Sequence, residues 1–132
     1  MSDPKIEAVQ QMYGAFGKGD VDAILDALAD DVDWGVEPDQ KIAPWHGRRT
    51  KAEVPAFFSA IYETQDVTEF TPLSFTSNDT DVMVVIRYGF TIKATGKSAT
   101  MDLHHWWRFK DGKVVLIRGT EDTALVAELL TP

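Results

Sequence analysis

The side chains best equipped for chemistry in this sequence stand on one stretch, from Ala99 to Glu121, where Met101, Asp102, Leu103, His104, His105, Trp106, Trp107, Arg108 and Phe109 run on to Asp111-Gly112 and a second apolar run. Asp-Gly tolerates the positive φ angles of a tight turn, so the two runs read as a β-hairpin. Alternation along the first strand sends Met101, Leu103, His105, Trp107 and Phe109 to one face, and Asp102, His104, Trp106 and Arg108 to the other. His105 therefore stands among large apolar groups, where its burial must be offset by a hydrogen-bond partner or a ligand. It is either a proton-transfer group or a core histidine paired for structural reasons. The adjacent His104 points the opposite way, and a metal chelate needs convergent ligands, so no metal site is expected.

These residues are positioned by a chain that reads as helices followed by strands. Asp3-Pro4 opens a first helix whose buried stripe is Ile6, Val9, Met12, Tyr13 and Phe16. Gly17 and Gly19 stop it, and Asp20 caps a second helix carrying Val21, Ile24, Leu25 and Leu28. Val32 to Val36 forms a short strand containing Trp34. A long irregular loop follows, from Glu37-Pro38 through Pro44-Trp45-His46-Gly47, and such loops are often functional. Thr50 and Glu53 form a capping box for a third helix that buries Val54, Phe57, Phe58 and Ile61. From Val67 the period becomes extended. Val67–Thr76, Val82–Lys93, Ala99–Phe109 and Val114–Glu121 are separated by turn residues and make an antiparallel meander. The tail beyond Asp122 either forms a short helix or docks as a strand. The arrangement is α+β, one domain over residues 1–132, with too few helices to roof the sheet, so a pocket is expected on its concave face. Trp106 on the opposite face is large for a solvated surface, and a homodimer through that face would explain it.

Composition narrows the function classes. A net charge of -8 repels polyanions, so nucleic acid is not an expected partner. The absence of cysteine excludes disulfides and thiol chemistry. No apolar run approaches the ~20 residues of a spanning helix, and the opening Met-Ser-Asp-Pro-Lys-Ile-Glu has no basic leader. A cytoplasmic protein with no membrane partner is the expectation.

Several strings together resemble a known family: Met12-Tyr13-Gly14-Ala15-Phe16 before Gly19-Asp20, Ala29-Asp30-Asp31-Val32-Asp33-Trp34, Pro44-Trp45-His46-Gly47, Val54-Pro55-Ala56-Phe57-Phe58, Phe109-Lys110-Asp111-Gly112-Lys113 and Asp122-Thr123-Ala124-Leu125. In order and spacing the chain resembles a SnoaL-like, ketosteroid isomerase-related protein of the nuclear transport factor 2-like superfamily. The resemblance implies a cone-shaped α+β barrel, with three N-terminal helices packed on a curved antiparallel sheet around a hydrophobic cavity, and commonly a dimer. Against ketosteroid isomerase, the oxyanion-hole tyrosine falls on Met12 with Tyr13 one residue away. The protonated aspartic acid falls on His105, and the general base falls near Val36 or Glu37. The arginine–aspartate triad of limonene epoxide hydrolase is not reproduced, since Thr100 stands two residues before Asp102.

In SnoaL-like polyketide cyclases a histidine and an aspartate manage the proton transfers, and His105 with Asp122 is the nearest counterpart. A carboxylate beside an imidazole fixes its tautomer and raises its pKa. Asp122 has a second reading as a cap on the C-terminal segment. Glu37 is the alternative base, or a solvated loop carboxylate. Tyr13, Trp34, Trp45, Phe58, Tyr88, Leu103 and Trp107 are the expected ligand-binding residues, with ordinary core packing as the competing reading. Two functions compete. One is a cofactor-free isomerase, cyclase or lyase type of proton-transfer enzyme acting on a small apolar carbonyl compound. The other is a non-catalytic cavity-bearing binding or dimerisation module. The fold alone hosts both.

Overall fold

Asp3 accepts a hydrogen bond from the Lys5 N–H at 2.8 Å, and Pro4 sits in the first turn, so helix α1 runs Pro4–Lys18. The computed structural model describes residues 3–132. Met1 and Ser2, on which the expectation of no leader partly rests, lie outside the described residues. Gly19, at φ 71°, closes α1 in the left-handed conformation that glycine adopts without strain. Asp20 caps α2, Val21–Asp26, through the Ala23 N–H. That helix is shorter than its apolar pattern suggested, because Leu28 already belongs to strand β1, Leu28–Val36.

After the loop comes a short strand β2, Gly47–Arg49, which begins at the last residue of the stretch predicted to be irregular and has no strand signal in its sequence. The Thr50–Glu53 box then starts a turn of 3₁₀ helix that continues into α3, Val54–Thr64. Glu53 accepts from the Thr50 N–H at 3.0 Å and the Thr50 hydroxyl at 2.9 Å. Four strands follow as expected: β3 Gln65–Ser77, β4 Asp81–Ile92, β5 Ser98–Lys110 and β6 Lys113–Thr120. Asp111 and Gly112, at φ 52° and 77°, make the tight turn between the last two. The tail is a helix, α4, Thr123–Leu130.

The sheet order is β2-β1-β6-β5-β4-β3. The meander β3 to β6 is antiparallel, but β1 lies parallel to β6, so the sheet is mixed rather than wholly antiparallel. It is curved but not closed, ending at β2 and β3. The chain leaves β1, turns back through β2, crosses by way of α3 and enters the sheet at its far edge. Returning along the meander, β6 arrives beside β1 in the same direction. The core lies between the helices and the concave face, where Val9, Met12, Ile24, Phe58 and Val126 pack on Val84, Ile86 and Ile117. Among the described residues no helix is long and apolar enough to cross a membrane.

Candidate functional site

Two rows of side chains cross the concave face. Val36 of β1, Gly119 of β6 and His105 of β5 are in register, and so are Trp34, Ile117 and Trp107, two residues further along each strand. Residues two apart on a strand share a face about 7 Å apart, so the rows form the floor of one space. Helices α1 and α3 roof it with Tyr13, Phe16, Phe57 and Phe58. The cavity has a volume of about 100 Å³, the scale of a single small ring. All seven expected ligand-binding residues, Tyr13, Trp34, Trp45, Phe58, Tyr88, Leu103 and Trp107, line it together with His105.

His105 is partnered by Tyr13, whose hydroxyl lies 2.8 Å from Nδ1. The Trp107 indole N–H donates to the same hydroxyl at 3.1 Å. If Nδ1 also donated to it, the phenolic proton would be left without an acceptor, so Tyr13 donates to Nδ1 and the imidazole proton sits on Nε2. Burial pushes the His105 pKa down to about 4, with the nearby His104 adding to the effect. At neutral pH His105 is thus an uncharged N–H donor, and Nε2 has no hydrogen-bond partner among the described residues. Burial likewise pushes the Tyr13 phenol upward, which keeps it protonated.

Gly119 leaves room beside this nitrogen. A Cβ built there would lie 3.5 Å from His105 Cδ2 and 3.7 Å from Nε2, so any longer side chain would cover the ring.

The structure does not pair His105 with Asp122. Asp122 accepts from the Leu125 N–H at 3.0 Å and is the N-cap of α4, its second reading in the sequence. Asp122 is not among the residues that line the cavity. Glu37 is also outside it. Its carboxylate is bound by Arg48 and lies 3.9 Å from Arg118, so the fold places it in a partly exposed ion-pair cluster.

The carboxylate that does line the cavity is Glu121. Its Oε1 accepts from the Trp45 indole at 2.9 Å and from His46 Nε2, whose side chain is fully buried. His46 Nδ1 accepts the backbone N–H groups of Ala43, at 3.0 Å, and Ile42, at 3.3 Å, which puts the His46 proton on Nε2, facing Glu121. The irregular loop thus clamps one oxygen of Glu121 with two donors, and Oε2 makes no hydrogen bond among the described residues. Beside it, Tyr88 donates to the side-chain amide oxygen of the buried Gln65, and burial together with the Glu121 charge pushes the Tyr88 pKa upward. Glu121 had a legible signal, since Ile117 and Gly119 alternate along β6 and Glu121 continues that alternation one residue past the end of the strand. The clamp did not, because it depends on a loop folding back across the sheet.

Among the described residues no three His, Asp or Glu side chains converge to hold a metal ion. His105 and Glu121 together offer an uncharged donor and a carboxylate oxygen among largely apolar walls.

A family model for the SnoaL-like domain matches residues 9–117. The chain belongs to the SnoaL-like domain family. No curated protein matches its sequence. Among solved structures, this SnoaL-like chain is similar to a nuclear transport factor 2-like protein of unknown function from Burkholderia pseudomallei, with 28% identity, TM-score 0.88 and 99% and 100% of the two chains covered. A nuclear transport factor 2-like protein from Burkholderia thailandensis shares 30% identity over 100% of both chains, with TM-score 0.86. TerC, crystallised with polyporic acid, shares 25% identity over 96% of this SnoaL-like chain and 98% of its own, with TM-score 0.85.

Proposed function

We propose that this SnoaL-like protein binds a small, largely apolar carbonyl compound in the cavity and moves a proton on the carbon next to the carbonyl. The observation that carries the reading is that two side chains lining one apolar space, His105 and Glu121, each keep a polar atom without a hydrogen-bond partner among the described residues, Nε2–H and Oε2 respectively. The carbonyl oxygen accepts from His105. Glu121 takes the α-proton, the C–H electron pair forms the carbon–carbon double bond while the carbonyl π pair moves to oxygen, and the enolate oxygen is stabilised by the same N–H. Return of the proton to carbon gives back the ketone and protonation at oxygen gives the enol, and no cofactor is consumed. An uncharged imidazole suits this role, since it stabilises developing negative charge without giving up its proton. That TerC was crystallised with polyporic acid supports the idea that this fold accommodates a small organic ligand.

The test is α-deuterium exchange of cyclohexanone in D₂O, followed by proton NMR. Exchange above the buffer rate is expected with wild-type protein, and Glu121→Gln should lower it 10²-fold or more, the usual contribution of a positioned base. Glutamine keeps an oxygen for Trp45 and His46, so the melting temperature checks that the clamp survives. A ketone that binds without exchanging would favour the second reading, a non-catalytic cavity protein, which the modest volume of the cavity also suits.

We also propose that two copies pair through the outer face of the sheet, where Met83 is 48% exposed next to Trp106.

A further inference from the structure

The indole N–H of Trp34 is the one buried side-chain polar atom without a hydrogen-bond partner among the described residues. Trp34 is 4% exposed, lines the cavity, and its ring meets those of Phe57, Phe58 and Trp107 at centroid distances of 5.3, 5.6 and 6.2 Å. A buried donor with no acceptor is costly, and native proteins keep few of them. A water molecule would relieve it poorly, because a buried water needs two to four polar partners, and the rings that Trp34 packs on, Phe57, Phe58 and Trp107, supply no acceptor. Phenylalanine would fill much of the same space without the penalty. The other three indoles behave differently, since Trp45, Trp106 and Trp107 donate to Glu121, Asp81 and Tyr13 respectively.

We infer that Trp34 is a specificity-determining donor of the cavity, and that the compound held at His105 carries a second, uncharged oxygen which accepts from the Trp34 indole N–H. This inference rests on the proposed carbonyl site at His105 and adds the chemistry of the ligand's other end. Trp34 and His105 stand in adjacent rows on different strands, so the two oxygens belong on separate parts of the ligand rather than on one group. No lysine or arginine lines the cavity and Glu121 supplies a negative charge, which disfavours a carboxylate or phosphate as the second group. The class that fits is a compact diketone or keto ester with an apolar body between its oxygens.

The experiment compares cyclohexanone with cyclohexane-1,4-dione, which share a ring and differ in the second oxygen. Calorimetric titration of the wild-type protein should show the dione binding about ten-fold more tightly, and Trp34→Phe should bind the two about equally. In a nitrogen–proton spectrum of the wild-type protein, the Trp34 indole resonance, assigned through its backbone neighbours, should move downfield with the dione and stay in place with cyclohexanone. This second readout keeps the inference testable if Trp34→Phe does not fold. Equal binding of the two ketones by wild-type protein, a preference that persists in Trp34→Phe, or an unmoved indole resonance would each overturn the role of Trp34 and leave the carbonyl site at His105 standing. Failure of both ketones to bind, or cyclohexanone binding that Gly119→Val leaves unchanged, would overturn the carbonyl site and this inference together.

Discussion

At His105 the tautomer and the charge state follow from neighbours rather than from the residue type. Trp107 fixes the Tyr13 hydroxyl, Tyr13 fixes Nδ1, and apolar walls hold the pKa at about 4, well below the ordinary 6.5. The consequence is a pH dependence of stability with a definite sign. Between pH 4 and 6.5 the unfolded chain binds a proton at this residue and the folded chain does not, so stability rises with pH through that window. The contribution is fully present above about pH 6.5 and is lost as the pH falls toward 4, by at most about 3 kcal/mol. Asp81 works in a lower window, because its ion pair with Arg108 holds its pKa at about 2. Melting curves taken from pH 4 to 7 should therefore show a slope in wild-type protein that flattens in His105→Gln, whose amide oxygen still accepts from Tyr13. A slope that survives the substitution would assign the acid sensitivity to another group.

At the scale of elements, the parts legible in the sequence were those decided by neighbours along the chain. Asp3, Asp20 and the Thr50–Glu53 box start their helices where local capping chemistry places them, and Asp111-Gly112 turns the last hairpin. Alternation in β5 likewise separates the faces of His104 and His105. What escaped were relations between distant segments. The direction of β1 beside β6 depends on how α3 carries the chain across the sheet, and the clamp on Glu121 depends on a loop 75 residues away from it in sequence. The pairing of His105 with Asp122 failed for a related reason. Asp122, one residue beyond the cavity-lining Glu121, is not part of the cavity wall and accepts instead from the Leu125 N–H in the first turn of α4. Asp122→Ala should accordingly cost about 1 kcal/mol of stability, the usual worth of an N-cap, measured by urea unfolding. It should leave the affinity for cyclohexanone unchanged. A loss of affinity without loss of stability would return Asp122 to the site.

Over the whole molecule, the curved sheet divides its work between two faces. The concave face takes the cavity and nearly all the large apolar side chains, whereas the outer face carries ion pairs around an apolar strip. Trp106 donates to Asp81 at 2.8 Å, and the Arg108 guanidinium covers its ring at 5.2 Å while binding the same carboxylate. The tryptophan is therefore pinned flat by its own chain, which leaves Met83, in register with it on β4, as the more accessible apolar group of that strip. Two copies related by a two-fold axis would bring this strip against itself, with Arg108 and Asp81 close enough to its edge to exclude water. Sedimentation equilibrium should give twice the chain mass of 14.7 kDa for wild-type protein. Met83→Glu should shift the mass to that of one chain, since a carboxylate facing its own copy is both desolvated and repelled. The cavity lies on the other face of the sheet, so cyclohexanone affinity should be kept in the monomeric variant. A mass that stays doubled in Met83→Glu would place the interface elsewhere on the molecule, and a single-chain mass for the wild type would remove it.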